Sequence, residues 1–204
     1  MPLLALALYV AFIVVAFGLR IAIQIRRTGS SGVHRLSGPP GSAEWLAGVG
    51  FLLALGLGLA APLLALLGVV EPISALDTTA VHVVGALLAI AGIVATFLAQ
   101  LAMGASWRVG VDTEERTALV TDGPFALVRN PIFSAMLPAT LGLVLLVPSG
   151  IALLAFVGLF VAIELQVRAV EEPYLLQMHG DAYADYAVRV GRFVPAMGRL
   201  DGLP

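Results

Sequence analysis

Residues able to do chemistry gather in the last third of this apolar chain. Gly123-Pro-Phe-Ala-Leu-Val-Arg129-Asn130-Pro131 comes first, then Glu164, Arg168 and Glu171-Glu172-Pro173, then His179-Gly-Asp-Ala-Tyr183-Ala-Asp-Tyr186 and Arg192-Phe-Val-Pro195. An ionisable group inside or beside a membrane span is costly and therefore a candidate for function. Taken singly, each group has a structural explanation. Glu164 and Arg168 can pair at i, i+4 and reach toward the headgroups. Glu171-Glu172 can stabilise a helix start, and Arg129-Asn130-Pro131 can be a cap with an interfacial anchor. Together they would set two carboxylates, two guanidinium groups and a helix N-terminus around one cavity. Such a patch suits a small zwitterion carrying an extra positive charge, its carboxylate at the helix N-terminus and its ammonium on the acidic side chains.

The elements that must position these groups are two apolar segments, 132–147 and 151–167, joined at Pro148-Ser149-Gly150. Legs of about 17 and 20 residues rise and fall by similar distances at 1.5 Å per residue, so Glu171-Glu172 should return to the level of Arg129-Asn130. Pro131 suits the first turn of the fourth span, and Asn130 stands where its side chain can cap that helix. Glu164, Arg168, Glu171 and Leu175 fall on one face of a regular helix. Pro173 disfavours a helical Glu172 and predicts a kink or restart there. On that reading Glu171 and Glu172 cap a new helix of 173–179, followed by a short helix over 181–189.

Composition bounds the rest. Sixty per cent apolar and 12% charged residues, with a mean hydropathy of +1.01, exclude an ordinary soluble domain. Apolar runs over 3–25, 45–70, 80–103, 132–147 and 151–167 predict an all-α polytopic membrane protein of about five transmembrane helices. The fourth and fifth runs lie at the lower limit of length. The expected organisation is one integral-membrane domain over 1–204, with three N-terminal spans in 1–103 and a catalytic region in 104–195. The first run follows no basic segment and is read as a retained span. All eleven basic residues are arginines, and all lie on one side of the five runs. The positive-inside rule then puts the N-terminus outside and the C-terminus in the cytoplasm, in a plasma membrane of bacterial type. The absence of Cys removes disulfides and thiolate chemistry, and three dispersed histidines argue against a metal site. A net charge of −2 gives no support for nucleic-acid binding. Segment 26–43 reads as a loop, and segment 104–122 as a polar connection, extended around Arg108-Val-Gly-Val. Gly48, Gly50, Gly56, Gly58, Gly85 and Gly92 read as close helix contacts.

Three elements in fixed order carry a family resemblance. Gly123-Pro-Phe-x-x-Val-Arg129-Asn-Pro131-x-Phe133, Arg168-x-x-Glu171-Glu172-x-x-Leu175 and Gly180-x-x-Tyr183-x-x-Tyr186-x-x-x-Val190-x-Arg192-Phe-Val-Pro195 resemble the isoprenylcysteine carboxyl methyltransferases and related membrane phospholipid methyltransferases. Ser106-Trp107-Arg108 fits bacterial members. The likeness covers 100–195. It implies a cytoplasmic S-adenosylmethionine pocket and a lipid-soluble acceptor entering from the bilayer. It assigns Arg129, Asn130, Pro131, Phe133, Glu171, Glu172, Leu175 and Tyr186 to the cofactor, and Arg168, Glu164 and Glu171 to the acceptor and its chemistry. Asn130 replaces the usual His, Phe133 the usual Tyr, and His179 a frequent bulky aromatic. Asn still hydrogen-bonds a carboxylate, whereas a role needing a protonatable group at 130 is lost.

Methyl transfer from a sulfonium is an in-line displacement, so the protein chiefly aligns the partners and excludes water. A carboxylate acceptor needs orientation, which a bidentate Arg168 would give. A thiol, amine or phenol would call on Glu164 or Glu171 as base. Two other readings stand beside this one: an NADPH-dependent reductase of sterol-reductase type, and a non-catalytic binding or transport protein. The acidic Glu171-Glu172 pair disfavours a 2′-phosphate, and polar groups gathered at one face do not trace a path across a membrane.

Overall fold

The computed structural model describes residues 1–33, 38–108 and 118–200. The expected extended stretch after Arg108, and with it His34, Arg35, Glu114, Glu115 and Arg116, lies outside them. The described residues form helices and no sheet. They comprise α1 (Pro2–Thr28), α2 (Ala43–Leu66), α3 (Thr79–Ala102), α4 (Pro131–Leu146), α5 (Gly150–His179) and α6 (Asp181–Arg189), with short 3₁₀ turns at Gly104–Ser106 and Gly123–Ala126. By length and composition α1, α2, α3 and α5 are apolar enough to cross a membrane, and the chain is an all-α polytopic membrane protein. The fourth apolar run is the shorter one: α4 has 16 residues, about 24 Å at 1.5 Å per residue.

Local chemistry sets the ends. Ser42, Thr78 and Ser149 accept from the backbone N–H groups of Trp45, Val81 and Ala152, capping α2, α3 and α5. Gly29 closes α1 with φ +78°, its N–H bonded to Ile25 O at 2.9 Å. Asn130 departs from expectation. It stands at the N-cap position of α4 but makes no side-chain cap bond; its amide instead donates to Arg192 O at 3.2 Å.

Small residues decide which helices touch. A Cβ at Gly92 would stand 2.5 Å from Ala139 N, and one at Gly142 2.4 Å from Ala89 N, so α3 and α4 meet backbone to backbone. Gly50 faces Ala162 and Gly158 faces Ala54, joining α2 to α5. The Tyr9 ring of α1 packs over Gly58, and its hydroxyl donates to Leu55 O at 2.5 Å. Gly56 has nothing within 4 Å of its would-be Cβ.

Two of the long helices, α1 and α5, contain a π-turn. In α1 it covers Val14–Leu19, and Ala16 O within it accepts from the Gln100 amide at 2.9 Å. Below it, Arg20 and Gln24 donate to Gly104 O and Ala105 O at 2.5 and 2.8 Å, fastening α1 to the end of α3. In α5 the π-turn covers Val167–Glu171, and Glu172 N–H donates to Val167 O, five residues back. This corrects the expected restart at Pro173. The helix runs on to His179, because the widened turn shifts the bonding register just where Pro173 lacks its donor. Glu171 and Glu172 are therefore helical residues (φ −73° and −63°) and not caps of a separate helix.

Candidate functional site

The Gly-Pro-Phe segment forms a 3₁₀ turn, and the chain then pairs with its own tail. Val128 and Gly191 make an isolated parallel bridge, with Arg129 N–H donating to Gly191 O at 2.8 Å and Asn130 N–H to Arg192 O at 3.1 Å. Ser134 Oγ, in the first turn of α4, donates to Phe193 O at 2.8 Å. The tail can turn here because Gly191 has no Cβ; one would meet Val194 O at 2.2 Å. Thus the first and last of the three sequence elements are stitched together by backbone bonds.

Arg129 sits at the centre of that stitch, 5% exposed. Its Nη1 donates to Ala187 O and Val190 O at 2.9 and 2.6 Å, so it closes the C-terminal end of α6. Its Nη2 donates to Gly198 O at 3.1 Å and to Glu172 Oε1 at 2.5 Å. Four of its five donors are thereby used, and Nε has no partner. Glu172 accepts at the same time from Arg192 Nε and Nη2, both at 2.8 Å. Hydrogen bonding to Glu172 holds the Arg192 guanidinium above its ordinary range.

Beside this ion cluster lies a cavity of about 490 Å³, within the range of small-molecule sites. Arg129, Asn130, Pro131, Phe133, Glu171, Leu175 and Tyr186 line it. Glu172 does not; both its oxygens are spent on the two arginines. Glu164 and Arg168 do not line it either. They form an ion pair with each other, and the Arg168 side chain is 59% exposed. The π-turn explains the split, since it rotates Glu171 away from the Glu164–Arg168 face that a regular helix would have given it.

Tyr183 and Tyr186 are buried, with their rings edge to face at 6.1 Å. Tyr186 donates its hydroxyl to Phe125 O at 2.6 Å. Burial pushes its pKa up to about 12, so it serves as a donor and not as a base. Burial, with the nearby Glu172 charge, also raises Tyr183.

The apolar walls include Phe17 of α1 and Phe51 of α2, where the sequence showed only hydropathy, and Gly48 of α2, which lines the cavity where a helix contact was expected. Glu44, Gln100 and Gln166 also line the cavity and were missed. A signal existed for the last two, since Gln100 and Gln166 are polar residues ending otherwise apolar runs.

Residues 80–182 match the phospholipid methyltransferase family, 103 of the 204 residues. The chain belongs to the phospholipid methyltransferase family. No curated protein matches it. The matched stretch covers nearly all of α3, then α4 and α5, and so contains both Arg129-Asn130-Pro131 and Glu171-Glu172. It is a membrane methyltransferase family, and the helical membrane architecture is of a piece with it. Among the described residues no three His, Asp or Glu side chains gather in a way that could hold a metal ion.

Proposed function

We propose that this phospholipid methyltransferase family member transfers a methyl group from S-adenosylmethionine to a lipid-soluble acceptor at the cytoplasmic membrane face. The supporting observation is a single cavity lined both by Arg129, Asn130 and Glu171 and by Phe17, Phe51 and Met136. A water-soluble cofactor and an apolar acceptor would meet in such a space.

The residues present fit the cofactor by donor type. The N-terminus of α4 at Asn130-Pro131 suits a carboxylate oxygen, Glu171 suits an ammonium, and the rings of Phe133 and Tyr186 suit a purine. When bound, the cofactor supplies an electrophilic methyl group on a sulfonium. The chain's own work is alignment. Asn130 is held by its amide on Arg192 O, Arg129 by Glu172 and three carbonyls, and Tyr186 by Phe125 O. A site fixed in this way loses little entropy when its ligands enter. The apolar wall would keep water from the reacting groups. Glu171 lines the cavity together with Asn130 and Arg129 and is the candidate base for an acceptor that must lose a proton. Arg168 and Glu164 lie on another face; a role for them would be at the acceptor's entry.

Five membrane passages within one domain, with α4 the short one, would place the N-terminus outside and every arginine inside. The deciding experiment is calorimetric titration of the detergent-purified protein with S-adenosylhomocysteine and, separately, with NADPH. The expected result is binding of the first alone. Binding of NADPH alone would replace the methyltransferase reading with the reductase.

A further inference from the structure

Glu171 and Gln166 are five residues apart in α5, and in a regular α-helix they would point about 140° apart. Here Gln166 Nε2 donates to Glu171 Oε1 at 3.3 Å. The π-turn Val167–Glu171 makes this contact possible, since its i−5 bond from Glu172 N–H to Val167 O adds a residue to the turn. Both side chains line the large cavity. The same extra residue sends Glu172 to the Arg129–Arg192 cluster, where its charge is neutralised. One carboxylate of the adjacent pair is therefore internal to the protein. The other lines the cavity and accepts from a neutral amide through Oε1, with the Arg108 charge nearby.

We propose that Gln166 is a positioning residue that, across the π-turn, holds Glu171 in the cavity as the receptor for an organic cation. The inference deepens the methyltransferase reading and rests on it for the identity of the cation. An ammonium is the shared chemistry, and it would come from the cofactor's amino-acid end or from an amine on the acceptor. A neutral amide donor suits this task, because it orients the carboxylate without cancelling its charge. An arginine at 166 would cancel it, as Arg129 and Arg192 do for Glu172.

The test uses two matched pairs of probes in calorimetric titrations of the full chain in detergent. S-adenosylhomocysteine is paired with its analogue lacking the amino group, and dodecylamine with dodecanol. Wild type should bind the ammonium member of at least one pair about tenfold more tightly, the magnitude of one charge-assisted bond. The pair that shows the preference identifies the source of the cation. Glu171→Gln should erase the preference. Gln166→Met should reduce it by about threefold, as expected for one neutral hydrogen bond, leaving the neutral member's affinity unchanged. The double variant should do no more than Glu171→Gln alone. Should Gln166→Met fail to fold, Gln166→Asn, too short to reach across the π-turn, takes its place with the same expectation. A wild type indifferent to charge in both pairs overturns the proposal. So does a Gln166 variant that weakens both members of a pair equally, since a merely structural residue would act that way. Dodecylamine preference without any S-adenosylhomocysteine binding would sink the methyltransferase reading and leave the role of Gln166 standing.

Discussion

Arg129 and Glu172 lie 43 positions apart and meet through a 2.5 Å ion pair with side chains 1% and 7% exposed. The contact closes the α4–α5 hairpin at its open end, and Arg192 joins it from the tail at 2.8 Å. Each partner is a long way from its neighbours in sequence, so the contact fixes the relative height of three segments at once.

Removing Glu172 should first be felt as lost stability. Glu172→Ala leaves two guanidinium groups buried without their carboxylate, a defect that typically costs about 3–5 kcal/mol. Thermal unfolding in detergent should show a large drop in Tm. Glu164→Ala, which opens the half-exposed pair with Arg168, should cost no more than about 1 kcal/mol. Equal Tm values for the two variants would mean that the buried cluster carries no stability.

The hairpin was legible in the sequence for a simple reason. Pro131 and Pro148-Ser149-Gly150 mark its ends, and equal rise per residue then returns Glu172 to the height of Arg129. The division between Glu171 and Glu172 was not legible, because a π-turn adds one residue without disturbing an apolar run. For a similar reason the walls at Phe17, Gly48 and Phe51 were hidden. Cavity-facing and lipid-facing positions of a membrane helix are both apolar, so no periodicity separates them. The Asn130 cap failed on a tertiary contact, the bond to Arg192 O, that competes for its side chain.

Asn130 should matter for the ligand more than for the fold. Its side chain caps nothing, and one 3.2 Å bond ties it to the tail. Asn130→Leu should weaken S-adenosylhomocysteine binding by about three- to tenfold through one lost hydrogen bond, with Tm lowered only slightly. Calorimetry that finds wild-type affinity would make the Arg-Asn-Pro turn a structural element alone.

Helix contact through glycine gives a prediction independent of function. A methyl at Gly142 would stand 2.4 Å from Ala89 N and 2.5 Å from Gly85 O, both backbone atoms that cannot step aside. Gly142→Ala should cost about 1–3 kcal/mol from overpacking. Gly56→Ala meets nothing within 4 Å and should be neutral or gain up to about 1 kcal/mol from helix propensity. Matching Tm values would mean that α3 and α4 do not pack as described.

The orientation is open to a direct assay. Reporter fusions after residue 75 and at the C-terminus should report opposite sides of the membrane, with the C-terminal one cytoplasmic. Both on one side would leave α4 as a helix that does not cross.

Alkaline pH should expose the role of Tyr186. Its hydroxyl donates to Phe125 O, and burial raises its pKa from about 10 to about 12. Between these values the unfolded chain has lost this proton while the folded one keeps it. Stability from this group is therefore complete below about pH 10 and falls as pH rises toward 12. The loss should be on the order of 2–3 kcal/mol over that window, at 1.36 kcal/mol per pKa unit. Tyr186→Phe removes the titration along with the hydrogen bond. Its Tm should start lower than wild type at pH 8 and then fall less steeply above pH 10, so that the two curves converge. Parallel curves across pH 8–12 would show that Tyr186 titrates in the folded protein as it does in the unfolded chain. A Tyr186→Phe Tm equal to wild type at pH 8 would show that the Phe125 contact contributes nothing to holding the Gly-Pro-Phe turn against α6.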